Sequence, residues 1–556
     1  MMLTNSVCKE RILSEEYRDF IIGNKIPPSI AKVDPSQLCA QKLPYDYQCV
    51  YVENAIGDAL NLDVYYYNSI PKCYGLLDVQ AMSEVGISQI QNYPTLQLKG
   101  NNVMIGFLDT GIDYQHEAFR DIGGQTRIEA IWDQTIQSGT PPEGFIYGSE
   151  YTKAMINEAL KMEQPLEMVP SVDENSHGTF VASVAAGSIN IEEGFIGGAP
   201  EATIAMVKLK ESKQYLKEFY QIKSDAICFQ ENDIMMGIQY LKKLADSKNM
   251  PLVLCIALGT NLGSHTGISP LANILNRYAD VGSMGIVTGV GNEANERQHF
   301  RGDATEEIEI RVEQGTEGFV VELWTEIPNL VNVSVVSPSG EILPPSPLRK
   351  GDNGEYVFTF EKTRVYMDYR LLMERSNSEL VYLRFEKPVE GIWKLLVELI
   401  QFTEGDYHLW ITDRRFLTSQ VYFLESSPDT TICEPANAFF PMTVGYYDGR
   451  QDSVDIQSGR GYTRTGRIKP DFVAPGVNVK GAIPRNQYTK RTGSSIATAV
   501  TAGAVALLLE WNVYYFGERN VSSIQLKNLL ILGAERDAEV VYPNTLWGAC
   551  VILVLG

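Results

Sequence analysis

Apolar residues along the chain fall into three successive patterns. Up to residue 97 they are mixed. The runs Cys49 to Asn54 and Asp63 to Tyr67 read as strands, and a short helical DVQAMSEVG opens at Asp78, a residue suited to capping. An extended polar stretch, ISQIQNYPTLQLKG, closes this region, which predicts a small α+β unit. From Asn101 short continuous apolar runs take over: VMIGFL, IAMVKL, LVLCIAL and GIVTGV. Unbroken runs of this length suit strands buried on both faces, so an α/β domain follows, a parallel sheet with helices on both faces. Between residues 300 and 433 the reading becomes all-β. EIEIRVE, FVVELW, NVSVVSPSG, WKLLVEL and YHLWIT are strand-like, several alternate with period two, and turns separate them, the signature of a β-sandwich. Because PMTVGYY and PDFVAPG return to the earlier pattern, the sandwich is an insertion. The predicted organisation is 1–97, then 98–556 interrupted by 300–433.

Composition narrows the function. With 44% hydrophobic and 21% charged residues, the 556-residue chain can bury a sizeable core. Its formal charge of −22 repels phosphate backbones and anionic lipid, so neither nucleic acid nor a membrane surface is an expected partner. The longest apolar run, Ala497 to Leu509, is broken by Thr498, Thr501 and Gly503 and is shorter than the roughly 20 residues a bilayer span needs. No basic stretch precedes an apolar segment at the N-terminus, so synthesis in the cytoplasm is expected, with no signal peptide. The eight cysteines show no CxxC pair, and reduced thiols are the expectation.

Chemistry concentrates in four loops. GFLDTGID places Asp109 where a buried strand runs into a turn; alone, it would be read as a turn aspartate. NSHGTFVASVAAG sets His177, one of only five histidines, at the start of a helix of small residues, where a carboxylate can orient it as a general base. RTGSSIATAV begins a long helix at Ser495, whose unpaired N–H groups and positive end face whatever charge forms on the hydroxyl; alone, GSS would be an N-cap. VTGVGNEA puts Asn292 after an apolar strand, able to donate to an oxyanion. Asp, His and Ser in that order is one of the known chain orders of a catalytic triad, and four motifs in one order outweigh the four separate plain readings.

These motifs resemble the subtilisin-like (S8) serine peptidases from residue 101 onward, the sandwich excepted. DTG, HGT, GNE and GSSIA carry Asp109, His177, Asn292 and Ser495 over to the family's triad and oxyanion positions. The family's G-T-S-M-A-x-P reads G-S-S-I-A-T-A here, with Ala499 in place of the proline. The layout further resembles the Csp germination proteases of spore-forming Clostridia. That resemblance implies a prodomain that is cleaved and retained over 1–97, and a jelly roll between Asn292 and Ser495. It also implies a pocket lined by Leu258, Gly259, Val290 and Gly291, a zymogen of a spore cortex hydrolase as substrate, and packaging in the spore. No cofactor is implied, and no carboxylate cluster is distinctive enough to assign a metal. The expected partners are the protein's own cleaved prodomain and a protein substrate, with autoprocessing after Gln97. Two rival functions remain at this point: a silenced, pseudoprotease-like regulator, and a general intracellular subtilisin.

Overall fold

The computed structural model describes residues 5–77, 98–345, 353–371, 373, 376–401, 403, 405–517 and 520–550. A nine-stranded sheet carries the main body. Its central strands are Met442–Asp448, Met284–Gly289, Leu252–Ile256, Met104–Asp109, Thr203–Lys208 and Ile128–Asp133, in that spatial order and all parallel. Alternate residues of one strand serve opposite layers. Ile105 and Phe107 join the core under helices His177–Ala186 and Ser494–Phe516, while Met104 and Leu108 join the core under Glu231–Ser247 and Pro270–Ala279. The predicted doubly covered sheet is therefore present. The segment IYGSEYTKAMINEAL extends it sideways, with Ser149–Thr152 antiparallel to Ile128–Asp133 and a helix, Lys153–Ala159, behind.

The long helix Ser494–Phe516 revises the reading of the apolar run. Its Ser494–Val513 portion has the length and apolarity of a membrane span, but 72% of it is buried against the sheet and its neighbours. Thr498 interrupts the apolar run in sequence without interrupting the helix, since its hydroxyl donates back to the Ser494 carbonyl at 2.8 Å.

The sandwich comprises a six-stranded and a five-stranded antiparallel sheet enclosing Phe319, Phe385, Trp393 and Tyr407. Its strands run from His299–Gly302 to Val421–Phe423, so it ends before residue 433. Cys433 and Glu434 already belong to the main body, through Cys433 N to Val290 O at 2.9 Å and paired bonds between Glu434 and Thr260.

The N-terminal unit has three antiparallel strands, Tyr17–Ile22, Gln48–Glu53 and Cys39–Lys42, with Gln48–Glu53 in the middle. Two expectations change here. Asp63 to Tyr67 is not a strand: it forms turns leading into a 3-10 turn, Tyr67–Ser69. Its aromatics pack instead of pairing, Tyr65 stacking on Phe20 at 4.4 Å, so tertiary burial overrides strand propensity. Cys8 and Cys39 form a disulfide that ties helix Asn5–Leu13 to the sheet, against the expectation of reduced thiols; the fold brings their Cα atoms to 5.5 Å, a proximity that spacing alone could not show. The helix expected at Asp78 lies outside the described residues.

Candidate active site

Asp109 is the last residue of its strand and lies at the carboxyl end of the parallel sheet, where open α/β sheets place their sites. Its Oδ1 accepts from Thr110 N at 2.7 Å and stands 2.7 Å from His177 Nδ1, with both side chains buried. With Nδ1–H committed to the carboxylate, Nε2 is the acceptor of the neutral ring. Gly178 makes this approach possible. A Cβ there would stand 2.1 Å from Gly111 O and 3.1 Å from Asp109 Oδ1, so only glycine lets the helix start against the strand end.

A second carboxylate, Asp173, fixes the arrangement. Its Oδ1 accepts from Thr110 Oγ1 at 2.7 Å and Ser176 N at 2.9 Å, and its Oδ2 from Thr179 N at 2.8 Å and Thr179 Oγ1 at 2.7 Å. It thus ties the turn after Asp109 to the helix start that carries His177. Burial raises the Asp173 pKa, opposed by these hydrogen bonds. The available signal was an aspartate just ahead of a helix start, a common capping position.

Ser495 is the second residue of its helix and is fully buried, and among the described residues its Oγ makes no hydrogen bond. Asn292 Oδ1 accepts from Ser494 N at 2.9 Å, which orients the amide. Its Nδ2 is then buried with no partner among the described residues, an arrangement that ordinarily costs about 1–3 kcal/mol. A donor held ready in this way suits a charge that appears only during reaction.

The cleft is filled by the protein's own chain. Strand Cys73–Leu76 pairs antiparallel with Leu258–Gly259 on one side, Leu76 opposite Leu258 and Gly75 opposite Gly259, and with Phe229–Gln230 on the other. Leu77 continues it, its N donating to Ala257 O at 3.2 Å and its carbonyl accepting from Ser495 N at 2.9 Å. The Leu77 side chain is fully buried; its Cδ2 would lie 2.9 Å from a Cβ placed on Gly259. Of the four expected pocket residues, Leu258 and Gly259 pair with this strand. Val290 and Gly291 form a neighbouring wall, their backbones engaged by Cys433 N and by Ser494 Oγ. Cys433, missed in the sequence, sits between the two glycines, and burial raises its pKa, so it is a packing thiol. Gln97 lies outside the described residues.

The sandwich also reaches the cleft. Glu293 Oε2 accepts from Asn292 N at 2.6 Å, and its Oε1 accepts from Arg415 Nη2 at 3.0 Å. Burial pushes the Glu293 carboxyl up to about 8, against the pull of Arg415.

The N-terminal unit is held by buried polar contacts as well. Asp19 takes Lys213 Nζ at 2.6 Å and Gln230 Nε2 at 2.6 Å, and Tyr67 OH donates to Glu322 of the sandwich at 2.7 Å.

A family model described as the subtilase family, peptidase S8, matches residues 100–342 and 419–546, a range that includes Asp109, His177, Asn292 and Ser495. The chain belongs to the subtilase family. As a subtilase it has a serine-peptidase site, and the gap in the match falls within the sandwich. The solved CspB protease of Clostridium perfringens is similar at 30% identity and a TM-score of 0.75, covering 83% of this chain and 93% of that one. Serine protease AprX of Bacillus subtilis is 35% identical over 108 residues, 16% of this chain and 24% of that one. A C5a peptidase of Streptococcus pyogenes is 21% identical over 454 residues, 76% of this chain and 35% of that one. The chain thus spans well under half the length of these two curated relatives.

Proposed function

We propose that this subtilase is a serine endopeptidase that cuts its own chain between Leu77 and Asp78 and keeps the freed strand in the cleft. The observation that carries the reading is the Leu77 carbonyl on Ser495 N, at the end of a strand paired as a substrate would be. In the reaction His177 Nε2 takes the Ser495 proton as Oγ bonds to the Leu77 carbonyl carbon. Asp109 stabilises the imidazolium, and Ser495 N–H and Asn292 Nδ2 hold the tetrahedral oxyanion. Collapse breaks the bond to the Asp78 nitrogen, which receives the proton from His177. Water then attacks the acyl-enzyme by the same route and leaves Leu77 as a free carboxylate. The reading replaces Gln97, expected from its place just ahead of the catalytic domain, with Leu77.

N-terminal sequencing of wild type and Ser495→Ala tests this reading. The expectation is a new N-terminus at Asp78 in wild type and an intact mutant; two intact chains would sink it. The physiological substrate proposed is the zymogen of a spore cortex hydrolase, on the strength of the Csp resemblance. Its test is incubation with the purified zymogen: one defined cut supports a dedicated activator, and scattered cuts in unrelated proteins point to general turnover. The filled cleft favours one rival, a peptidase silenced by its retained strand. Labelling with a fluorophosphonate probe separates the two, since only an accessible, active Ser495 reacts.

A further inference from the structure

Gly75 is the third residue back from the proposed scissile bond, and its backbone gives no reason for a glycine. It lies in an extended strand opposite Gly259 and is absent from the residues with positive φ, so any side chain could adopt its conformation. What demands glycine is space. A Cβ at Gly75 would stand 3.0 Å from Phe416 Cζ, 3.1 Å from Phe416 Cε1 and 3.5 Å from Arg415 Cζ. Both residues belong to the turn Arg414–Phe416 of the inserted sandwich.

That turn cannot easily yield. Asp413 caps it through Oδ1 to Arg415 N at 3.0 Å, and Phe416 N donates to Asp413 O at 2.9 Å. The Phe416 carbonyl accepts from Lys223 N at 2.8 Å, and its ring is almost wholly buried in a cluster with Trp324 and Trp410. Arg415 is clamped between Asp413 and Glu293, the residue that follows the oxyanion asparagine. A glycine inside a strand, which weakens the strand, often marks such a close approach.

We infer that Phe416 and Arg415 form a specificity wall supplied by the insert, which makes the enzyme select glycine at the third position before the cleaved bond, in its own chain and in its substrates. This rests on the reading that Cys73 to Leu77 occupies the cleft as a substrate does. An alanine at that position needs the ring to shift by a few tenths of an ångström, and a β-branched residue adds two more heavy atoms to the same crowded site.

The test uses the full-length chain and follows appearance of the Asp78 N-terminus with time by intact mass. Wild type, Ser495→Ala, Gly75→Val and the double variant Gly75→Val with Phe416→Leu are compared, each checked for folding by thermal unfolding. Leucine keeps the site apolar but removes the ring edge. The expected result is processing slowed roughly tenfold or more in Gly75→Val, and recovered in the double variant. Wild type cut after Leu77 beside an equally fast Gly75→Val overturns the wall alone, as does a folded double variant with no recovery. A wild type as intact as Ser495→Ala overturns the processing reading and the wall with it.

Discussion

The two walls of the cleft are built in different ways. One carries Asp109, His177, Asn292 and Ser495 at strand ends and helix starts around a single parallel sheet, the first three held by hydrogen bonds to residues near them in sequence or in an adjoining motif. The other, facing Gly75, is a turn of the inserted sandwich whose position depends on docking one domain against another. The first wall supplies chemistry and leaves polar groups ready for use. The second presents Phe416 and Arg415 to Gly75, and its Arg415 pairs both with Asp413 of the same turn and with Glu293 beside Asn292. The two walls meet at Glu293, which accepts from both Asn292 N and Arg415.

The largest effect is expected on the sheet side. Asp109→Asn keeps the hydrogen-bond geometry but favours the wrong tautomer of His177, and should slow processing about 10⁴-fold, read as the rate of Asp78 N-terminus formation. Asn292→Ala removes one oxyanion donor and should cost about 10²–10³ in rate. On the sandwich side, Arg415→Ala leaves the buried Asp413 without its cation and removes the Arg415 donor from Glu293. A loss of roughly 2–4 kcal/mol is expected, short of a fully buried pair because the guanidinium keeps an exposed edge, and urea unfolding measures it.

pH sharpens the contrast at the seam between the domains. His265 stacks on Trp410 at 3.9 Å, and His299 Nε2 lies 2.9 Å from His408 Nδ1. Burial lowers His265 to about 4 and His299 to about 3. Their folded pKa values lie below the unfolded one, near 6.5, so the unfolded chain binds more protons between the two. Stability is then lost as pH falls from about 6.5 toward 4, and melting temperatures across that range should fall steeply. Inside the sandwich Glu379 behaves oppositely: burial raises it to about 8, with Val331 N as its hydrogen-bond donor. Its stabilising proton is bound below about 4.5 in both states and lost from the folded state as pH rises toward 8. Glu379→Gln should therefore melt higher than wild type at pH 8 and much like it at pH 4.5, the smallest of these effects.

This contrast also explains what could be read in advance. Asp109, His177, Asn292 and Ser495 could be singled out because each sits in a short glycine-bearing motif, and the structure sets Asp109 against His177 and Asn292 against Ser494. Gly178 illustrates this, since the closeness of Asp109 and Gly111 O requires it. Asp173 escaped because an aspartate ahead of a helix has an ordinary capping explanation. Leu77, Phe416 and Cys433 escaped because each reaches its partner, Ser495, Gly75 and Gly259 respectively, only in three dimensions and far along the chain. The Cys8–Cys39 bond is another case, set by a helix folding back on a strand. Five of the eleven strands in the two sandwich sheets were visible as strand-like runs; Arg364–Arg370 and Ser378–Glu386 are among those not singled out.

The strand in the cleft also completes a sheet. Leu258–Gly259 and Phe229–Gln230 do not pair with each other; each pairs with Cys73–Leu76, which fills the gap between them. Withdrawing it would expose two facing rows of bare peptide groups, a template on which an extended segment of another molecule could assemble. While the strand is in place both rows are paired, and anything that displaces it must cover both rows at once.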